Sequence, residues 1–133
     1  MSKSLFASPE NKGFPKWGEI WLVDFNRLKE KEINKIRPSL VISDNVQNEL
    51  NRWIVVVAMT TEDIKDLQPS EVYIENTPKT GIDHPSKLQF HYPRTIDKKL
   101  RLVRRLGVAS KETMTKAKKA WEMAFVWGYN ESN

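Results

Sequence analysis

Two short apolar runs constrain the fold of this chain more than any other feature. They are Leu40-Val41-Ile42 and Ile54-Val55-Val56-Val57-Ala58-Met59. Both are rich in β-branched residues and too short for buried helices, so we predict two buried strands. Arg37-Pro38 opens the first run, and Thr60-Thr61 closes the second. If the strands are neighbours, a guanidinium and one or two hydroxyls meet at one edge of a sheet.

This combination of groups suits a phosphate. Arginine presents a planar fork of donors, and a threonine hydroxyl can donate to a second phosphate oxygen. We therefore predict an anion site in which no metal takes part. The competing interpretation of Arg37 is a structural salt bridge with Asp44 or Glu32, and the residues alone favour that interpretation.

Length and charge set the class of the protein. The chain has 133 residues, enough for one domain with a real core. It carries 22 Lys and Arg against 17 Asp and Glu, a formal net charge of +5. A basic balance indicates an acidic partner and favours nucleic acid, although solvated lysines are the plain alternative.

Several classes of site and location are excluded or disfavoured. Cysteine is absent, so disulfides, thiolate nucleophiles and cysteine-ligated zinc are excluded. The two histidines, His84 and His91, would need carboxylates from elsewhere to hold a metal, and we predict no metal site. No apolar run has the length of a signal peptide or a membrane span, so we expect a cytoplasmic protein.

The first half of the chain divides into an arm and the start of a domain. Residues 1–16 are predicted to be a mobile arm, and residues 17–128 a single domain followed by a tail, 129–133. Gly18 to Phe25 is a predicted strand with apolar residues on both faces, as in a barrel. Asn26 to Ile36 is a predicted charged loop, and Ser43-Asp44-Asn45 caps a short helical turn.

The second half adds strands and a helix. Glu71 to Glu75 alternates like a half-exposed strand, Lys87 to Phe90 is a strand broken by Pro93, and Leu100 to Val108 is another strand. Ser110 is a good N-cap for a helix whose apolar spacing extends to Gly128. This order predicts a mainly β fold with a C-terminal helix, as a small, bent, mostly antiparallel barrel.

One residue interrupts the alternation of the last strand. Arg104 falls on the apolar side of the pattern from Leu100 to Val108. Either a bulge rotates it outward, or its stem lies along the core with its head in solvent.

Five blocks, taken in order, resemble the MazF/PemK toxins of bacterial toxin–antitoxin pairs. Their order and spacing, more than any single block, carry the likeness from about Trp17 to Phe125. The blocks are Gly18-Glu19-Ile20-Trp21-Leu22-Val23-Asp24-Phe25, Arg37-Pro38 with Leu40-Val41-Ile42-Ser43-Asp44, Val55-Val56-Val57-Ala58-Met59-Thr60-Thr61, Arg94-Thr95-Ile96-Asp97-Lys98 and Arg105-Leu106-Gly107.

The resemblance implies a fold, an activity and three site residues. It implies an SH3-like barrel that acts as a homodimer, cleaves single-stranded RNA without metal and is inhibited by an acidic antitoxin. The family's catalytic arginine corresponds to Arg37, its threonine to Thr60 and its loop glutamate to Glu32. Two departures are visible: Ile33-Asn34-Lys35 replaces the loop glycines, and His91-Tyr92-Pro93 replaces an acidic residue and Gln.

Metal-free RNA cleavage uses the 2′-hydroxyl as nucleophile, so DNA is not a substrate. The reaction needs stabilisation of the phosphorane charge, which Arg37 and Thr60 supply, and groups that move protons. Arginine is effectively never deprotonated, so we predict that Glu32 or His91 moves protons while Arg37 holds the phosphate. The plain alternative for His91 is a solvent-facing strand residue.

Further residues are predicted to contact RNA. A basic surface follows the RNA backbone, and aromatic rings stack on bases. The candidates are Thr61, Tyr92, Arg94, Lys98, Lys99, Arg101 and Arg105, with Trp21, Phe25 and Trp53 as further rings. For most of the rings, core packing is the competing interpretation.

Two other functions fit the same architecture. One is a toxin of the CcdB kind, which binds DNA gyrase and cuts nothing. The other is a non-catalytic SH3-like module that binds an acidic peptide in the same groove. The pairing of Arg37 with Thr60 favours the nuclease over both.

Overall fold

The computed structural model of the protein describes residues 13–126. Most of the predicted arm and the whole predicted tail lie outside this range. Within it, the chain forms six strands and three helices, plus one 3-10 turn at Ile33–Lys35. The strands are β1 Glu19–Asp24, β2 Ile36–Val41, β3 Trp53–Thr60, β4 Glu71–Ile74, β5 Ser86–Asp97 and β6 Leu102–Val108, and the helices are α1 Asn45–Leu50, α2 Lys98–Arg101 and α3 Lys111–Ala124.

The six strands form one antiparallel sheet in the order β4-β5-β3-β2-β1-β6. Apolar side chains cover both faces of it. Ile20 belongs to a core cluster on one side and Trp21 to a second cluster, so β1 has the two apolar faces expected of it. The prediction of a mainly β fold with a C-terminal helix is confirmed. Among the described residues, no helix is long and apolar enough to span a bilayer.

Helix α3 covers the first of these cores. Ser110 caps it as predicted, its hydroxyl accepting from the Thr113 N–H at 3.0 Å. Ala117 and Ala120 are its buried residues, and their small side chains let the helix lie close to the sheet. The helix ends at Ala124, before the predicted Gly128, which lies outside the described residues.

Strand β5 runs through Pro93 instead of ending there. Val57 of β3 pairs with Pro93, but Met59 pairs with Leu88, so β5 has extra residues between these two positions. Proline lacks an N–H and is tolerated where a strand bulges. The prediction that Pro93 breaks the strand is therefore wrong, because the bulge absorbs it.

Strand β6 begins two residues later than predicted. The Asp97 carboxylate accepts from the N–H groups of Lys99 and Leu100 and starts the short helix α2, which leaves Leu100 exposed. An N-cap thus overrides the apolar alternation at this point. The pairing of β6 with β1 is interrupted by two register shifts, and Arg104 is exposed. Of the two alternatives for Arg104, the structure therefore supports the bulge.

Strands β4 and β6 are the two edges of the sheet and do not pair with each other. The turn that follows β4 contacts β6 instead. The Val108 N–H donates to the Lys79 carbonyl at 2.9 Å. A Cβ on Gly107 would lie 2.0 Å from the Lys79 oxygen, and one on Gly81 would lie 2.0 Å from the Leu106 oxygen. Only glycine permits this backbone approach. We call the contact of residues 79–81 with 106–108 the seam.

A buried ion pair joins β4 to β5. The predicted half-exposed strand is confirmed at Tyr73, which is exposed between the buried Val72 and Ile74. Glu71 departs from the pattern and is buried, because its carboxylate meets the equally buried Lys87 ammonium at 3.1 Å. Burial raises the pKa of Glu71, but hydrogen bonds from the Gln68 N–H, Gln89 and Lys87 outweigh it and hold that pKa below its usual 4.5.

Gly107→Ala tests the seam. The backbone of Gly107 needs no positive φ, so the added methyl acts only through its clash with the Lys79 carbonyl. We expect a loss of about 2–3 kcal/mol in unfolding free energy, measured by denaturant titration. Val108→Ala, a partly exposed control, should cost about 0.5 kcal/mol or less. Equal stability of the Gly107 variant and the wild type would contradict a close backbone contact.

Glu71→Gln tests the buried pair. It leaves the Lys87 ammonium without its counter-charge, and we expect a loss of about 3–5 kcal/mol at pH 7. Glu71→Gln combined with Lys87→Met should recover most of that loss.

The same carboxylate gives stability a predictable pH dependence. The pKa of Glu71 is lower folded than unfolded, so on acidification the unfolded chain takes up the proton first. The contribution is therefore complete above the unfolded pKa and is lost as the pH falls through the folded pKa. Urea unfolding should show the stability difference between wild type and Glu71→Gln shrinking on acidification, and a difference independent of pH would count against the pair.

Candidate active site

A cleft of about 410 Å³ contains the arginine and threonines singled out in the sequence. Arg37, Thr60 and Thr61 all line it. The pairing of β2 with β3 explains this, because Ser39 pairs with Ala58, and Arg37 and Thr60 each lie two residues beyond that pair at the same end of the two strands. The fold thus brings together the guanidinium and the hydroxyls, as predicted.

The hydroxyl of Thr60 is positioned by the turn that follows it. Its oxygen accepts the N–H of Glu62 at 3.1 Å. That bond uses an oxygen lone pair, so the hydroxyl hydrogen can still be donated to an anion. Arg37 is exposed and lines the same cleft.

The cleft is also lined by charged groups that the sequence did not single out as site residues. Asp83 and His84 come from the segment before β5, Glu62 from the turn after β3, and Arg104 from β6. The sequence indicates these residues only indirectly. Gly81, two residues before Asp83, packs against the Leu106 backbone of β6 and so brings this segment to the cleft. The cleft thus holds two guanidiniums, two carboxylates and one imidazole.

Neither predicted proton-transfer residue lines this cleft. Glu32 lies at the start of the 3-10 turn, where its carboxylate meets the Lys35 ammonium at 3.3 Å and raises the pKa of that lysine. His91 lies on β5, its Nδ1 is 2.8 Å from the Ser70 hydroxyl, and its ring contacts Tyr92. The structure therefore does not bring His91 and Arg37 together in one cleft.

Two of the predicted RNA-contacting cations are used by the fold. Lys98 is buried, and its ammonium donates to the carbonyls of Asn48 and Glu49 at the end of α1, at 2.5 and 3.1 Å. Burial lowers the pKa of Lys98. Arg105 pairs with the buried Glu19 carboxylate at 2.8 Å. The Lys98 ammonium therefore holds the end of α1, and its contact with RNA stays a prediction.

Two of the remaining predicted contacts lie at a second, smaller cleft of about 280 Å³. Arg94 and Arg101 line it beside Phe25 and the half-exposed Trp53. The Arg94 guanidinium lies 4.9 Å from the Phe25 ring centre, and Arg101 donates to the Asn26 carbonyl. Lys99 and Tyr92 are exposed, whereas Trp21 is buried and donates to Glu19, so stacking by Trp21 is excluded.

A larger groove of about 770 Å³ lies between α3 and the sheet, but its chemistry is poor. Apolar side chains such as Trp17, Met114 and Trp121 line it, with Lys111 and Lys118 as its charged residues. Among the residues 13–126 that line it, none is a carboxylate or a histidine. The groups that proton transfer and phosphate binding require are therefore found in the cleft that Arg37 and Thr60 line.

Comparison with known proteins gives the chain a family. Residues 16–124 match the model of the "PemK-like, MazF-like toxin of type II toxin-antitoxin system". The chain is 33% identical over 97 residues to endoribonuclease MazF9 of Mycobacterium tuberculosis, which covers 70% of this chain and 80% of the relative. It is 28% identical over 109 residues to endoribonuclease EndoA of Bacillus subtilis, covering 82% and 92%.

Solved structures share the fold at lower identity. A mycobacterial endoribonuclease in complex with its cognate antitoxin superposes with a TM-score of 0.68 at 22% identity, over 87% of this chain and 99% of that one. A MazE–MazF structure from Deinococcus radiodurans gives 0.62 at 16% identity, over 83% and 93%. The small-barrel prediction is thereby confirmed, and the chain belongs to the family of PemK-like, MazF-like toxins of type II toxin–antitoxin systems.

Proposed function

We propose that this protein is the toxin of a toxin–antitoxin pair and an endoribonuclease that cleaves single-stranded RNA without metal. The observation that carries the proposal is the shared cleft of Arg37 and Thr60. Family membership supports the reaction class, since two relatives are named as endoribonucleases. A guanidinium and a hydroxyl also suit the carboxylates of an acidic peptide, so the two relatives named as endoribonucleases decide in favour of the nuclease.

The proposed reaction is attack by the RNA's own 2′-hydroxyl on the adjacent phosphorus. The bond to the 5′-oxygen breaks, leaving a 2′,3′-cyclic phosphate and a 5′-hydroxyl. Charge builds up on the non-bridging oxygens in the transition state, where the Arg37 guanidinium and the Thr60 hydroxyl donate hydrogen bonds. Such donors accelerate the step because they are already oriented by the pairing of β2 with β3.

The partners follow from charge and family. The formal net charge of +5 suits both RNA and an acidic antitoxin, and one structural relative is described with its cognate antitoxin. We extend the proposal to a homodimer acting in the cytoplasm, where RNA substrates are abundant. Thr61 lies in the cleft, and Tyr92, Arg94, Lys99 and Arg101 are the further proposed RNA contacts.

Incubation of the purified protein with RNA in EDTA tests the proposal directly. We expect cleavage in EDTA, 5′-hydroxyl and 2′,3′-cyclic phosphate ends, and no cleavage of the matching DNA. Arg37→Ala should lower the single-turnover rate about 100- to 1,000-fold because it removes a donor to the transition-state charge. Thr60→Val should also lower the single-turnover rate.

Lys119→Ala is the matched control. It removes one positive charge from an exposed position of α3, outside the cleft, and the cleavage rate should stay near that of the wild type. Full RNA cleavage by the Arg37→Ala protein would remove the catalytic role of this cleft. Wild-type protein that cuts no RNA would favour a binding toxin instead.

A further inference from the structure

The proposed reaction needs a proton donor, and neither threonine nor arginine serves well. The 5′-oxygen leaves as an alkoxide unless it is protonated as the bond to phosphorus breaks. Guanidinium and hydroxyl groups hold their protons too tightly to give them up readily near neutral pH. Histidine titrates in that range. His84 is the histidine that lines the cleft of Arg37 and Thr60.

The backbone that carries His84 is fixed at several points. Gly81, with φ of +69°, packs against the backbone of Leu106 and donates to the Thr77 carbonyl at 2.9 Å. The Ser86 hydroxyl donates to the His84 carbonyl at 2.9 Å, and the Asn76 amide reaches the Asp83 carbonyl at 3.3 Å. The imidazole is therefore exposed on a segment held in place, as a positioned acid requires.

The charges around His84 are balanced. Arg37 from β2 and Arg104 from β6 line the cleft with it, and so do the carboxylates of Glu62 and Asp83. Two guanidiniums can thus hold the phosphate in the same cleft in which the His84 imidazole supplies the proton.

We infer that His84 is the general acid of RNA cleavage, an assignment that rests on the proposed function. The 2′-oxygen bonds to phosphorus and loses its proton to water. The bond from phosphorus to the 5′-oxygen breaks, and that oxygen takes its proton from the His84 imidazolium. The neutral imidazole regains a proton from solvent before the next turnover.

A substrate with a better leaving group separates this role from a structural one. The wild-type cleavage position is mapped first, and an oligonucleotide is made with sulfur in place of the 5′-oxygen at that linkage. A thiolate leaves without being protonated. His84→Gln should slow cleavage of the ordinary linkage about 100-fold or more, but cleavage of the sulfur linkage less than about 10-fold.

Lys119→Ala is the control and should change neither rate, because Lys119 is exposed on α3 and lies outside the cleft. The pH profile gives a second readout: the wild-type rate on the ordinary linkage should fall as the pH rises and the imidazolium is lost, and His84→Gln should lack that fall. Unchanged melting temperatures verify folding of both variants.

The outcomes distinguish the role of His84 from the nuclease activity itself. Equal slowing of both linkages, or no slowing, overturns the role of His84 while the nuclease stands. A wild-type protein that cleaves neither linkage overturns the nuclease and this inference together.

Discussion

The register between β2 and β3 is the constraint on which the site depends. Leu40 pairs with Val57 and both lie in one core, while Val41 pairs with Val56 and both lie in the other. A slip of one residue would move each of these side chains to the wrong face of the sheet. Apolar packing on two sides thus fixes the pairing, and the pairing brings Arg37 and Thr60 into one cleft. The geometry of the proposed site is a by-product of core formation.

Much of the positive charge of this protein is used within the fold. Arg52 meets the buried Asp97, Lys87 meets Glu71, and Arg105 meets Glu19. Burial raises the pKa of Asp97, but the Arg52 guanidinium and two backbone N–H groups outweigh it and hold that pKa below its usual value. Each pair removes one positive and one negative charge and leaves the formal net charge of +5 unchanged, so the position of each remaining cation matters more than their sum.

The sequence predicted elements well and their junctions poorly. The apolar runs identified β2 and β3, and Ser110 identified the start of α3, because these signals are local. Asp97 was not recognised as an N-cap, so Leu100 was assigned to a strand. The buried role of Lys98 depends on α1, about fifty residues earlier in the chain. His84 joins Arg37 only because the curled sheet brings distant segments together, which no local pattern encodes.

The two glycines where the edges of the sheet meet also limit how this protein can diversify. Gly81 lies against the Leu106 backbone of β6, and Gly107 lies against the backbone of Lys79 and Thr80, so neither position can gain bulk alone. Side-chain changes are therefore possible at the exposed Asp83, but not in the bend that carries Asp83 and His84. Replacement of this segment by one from another relative would have to preserve both glycines, or the recipient sheet would open along that line.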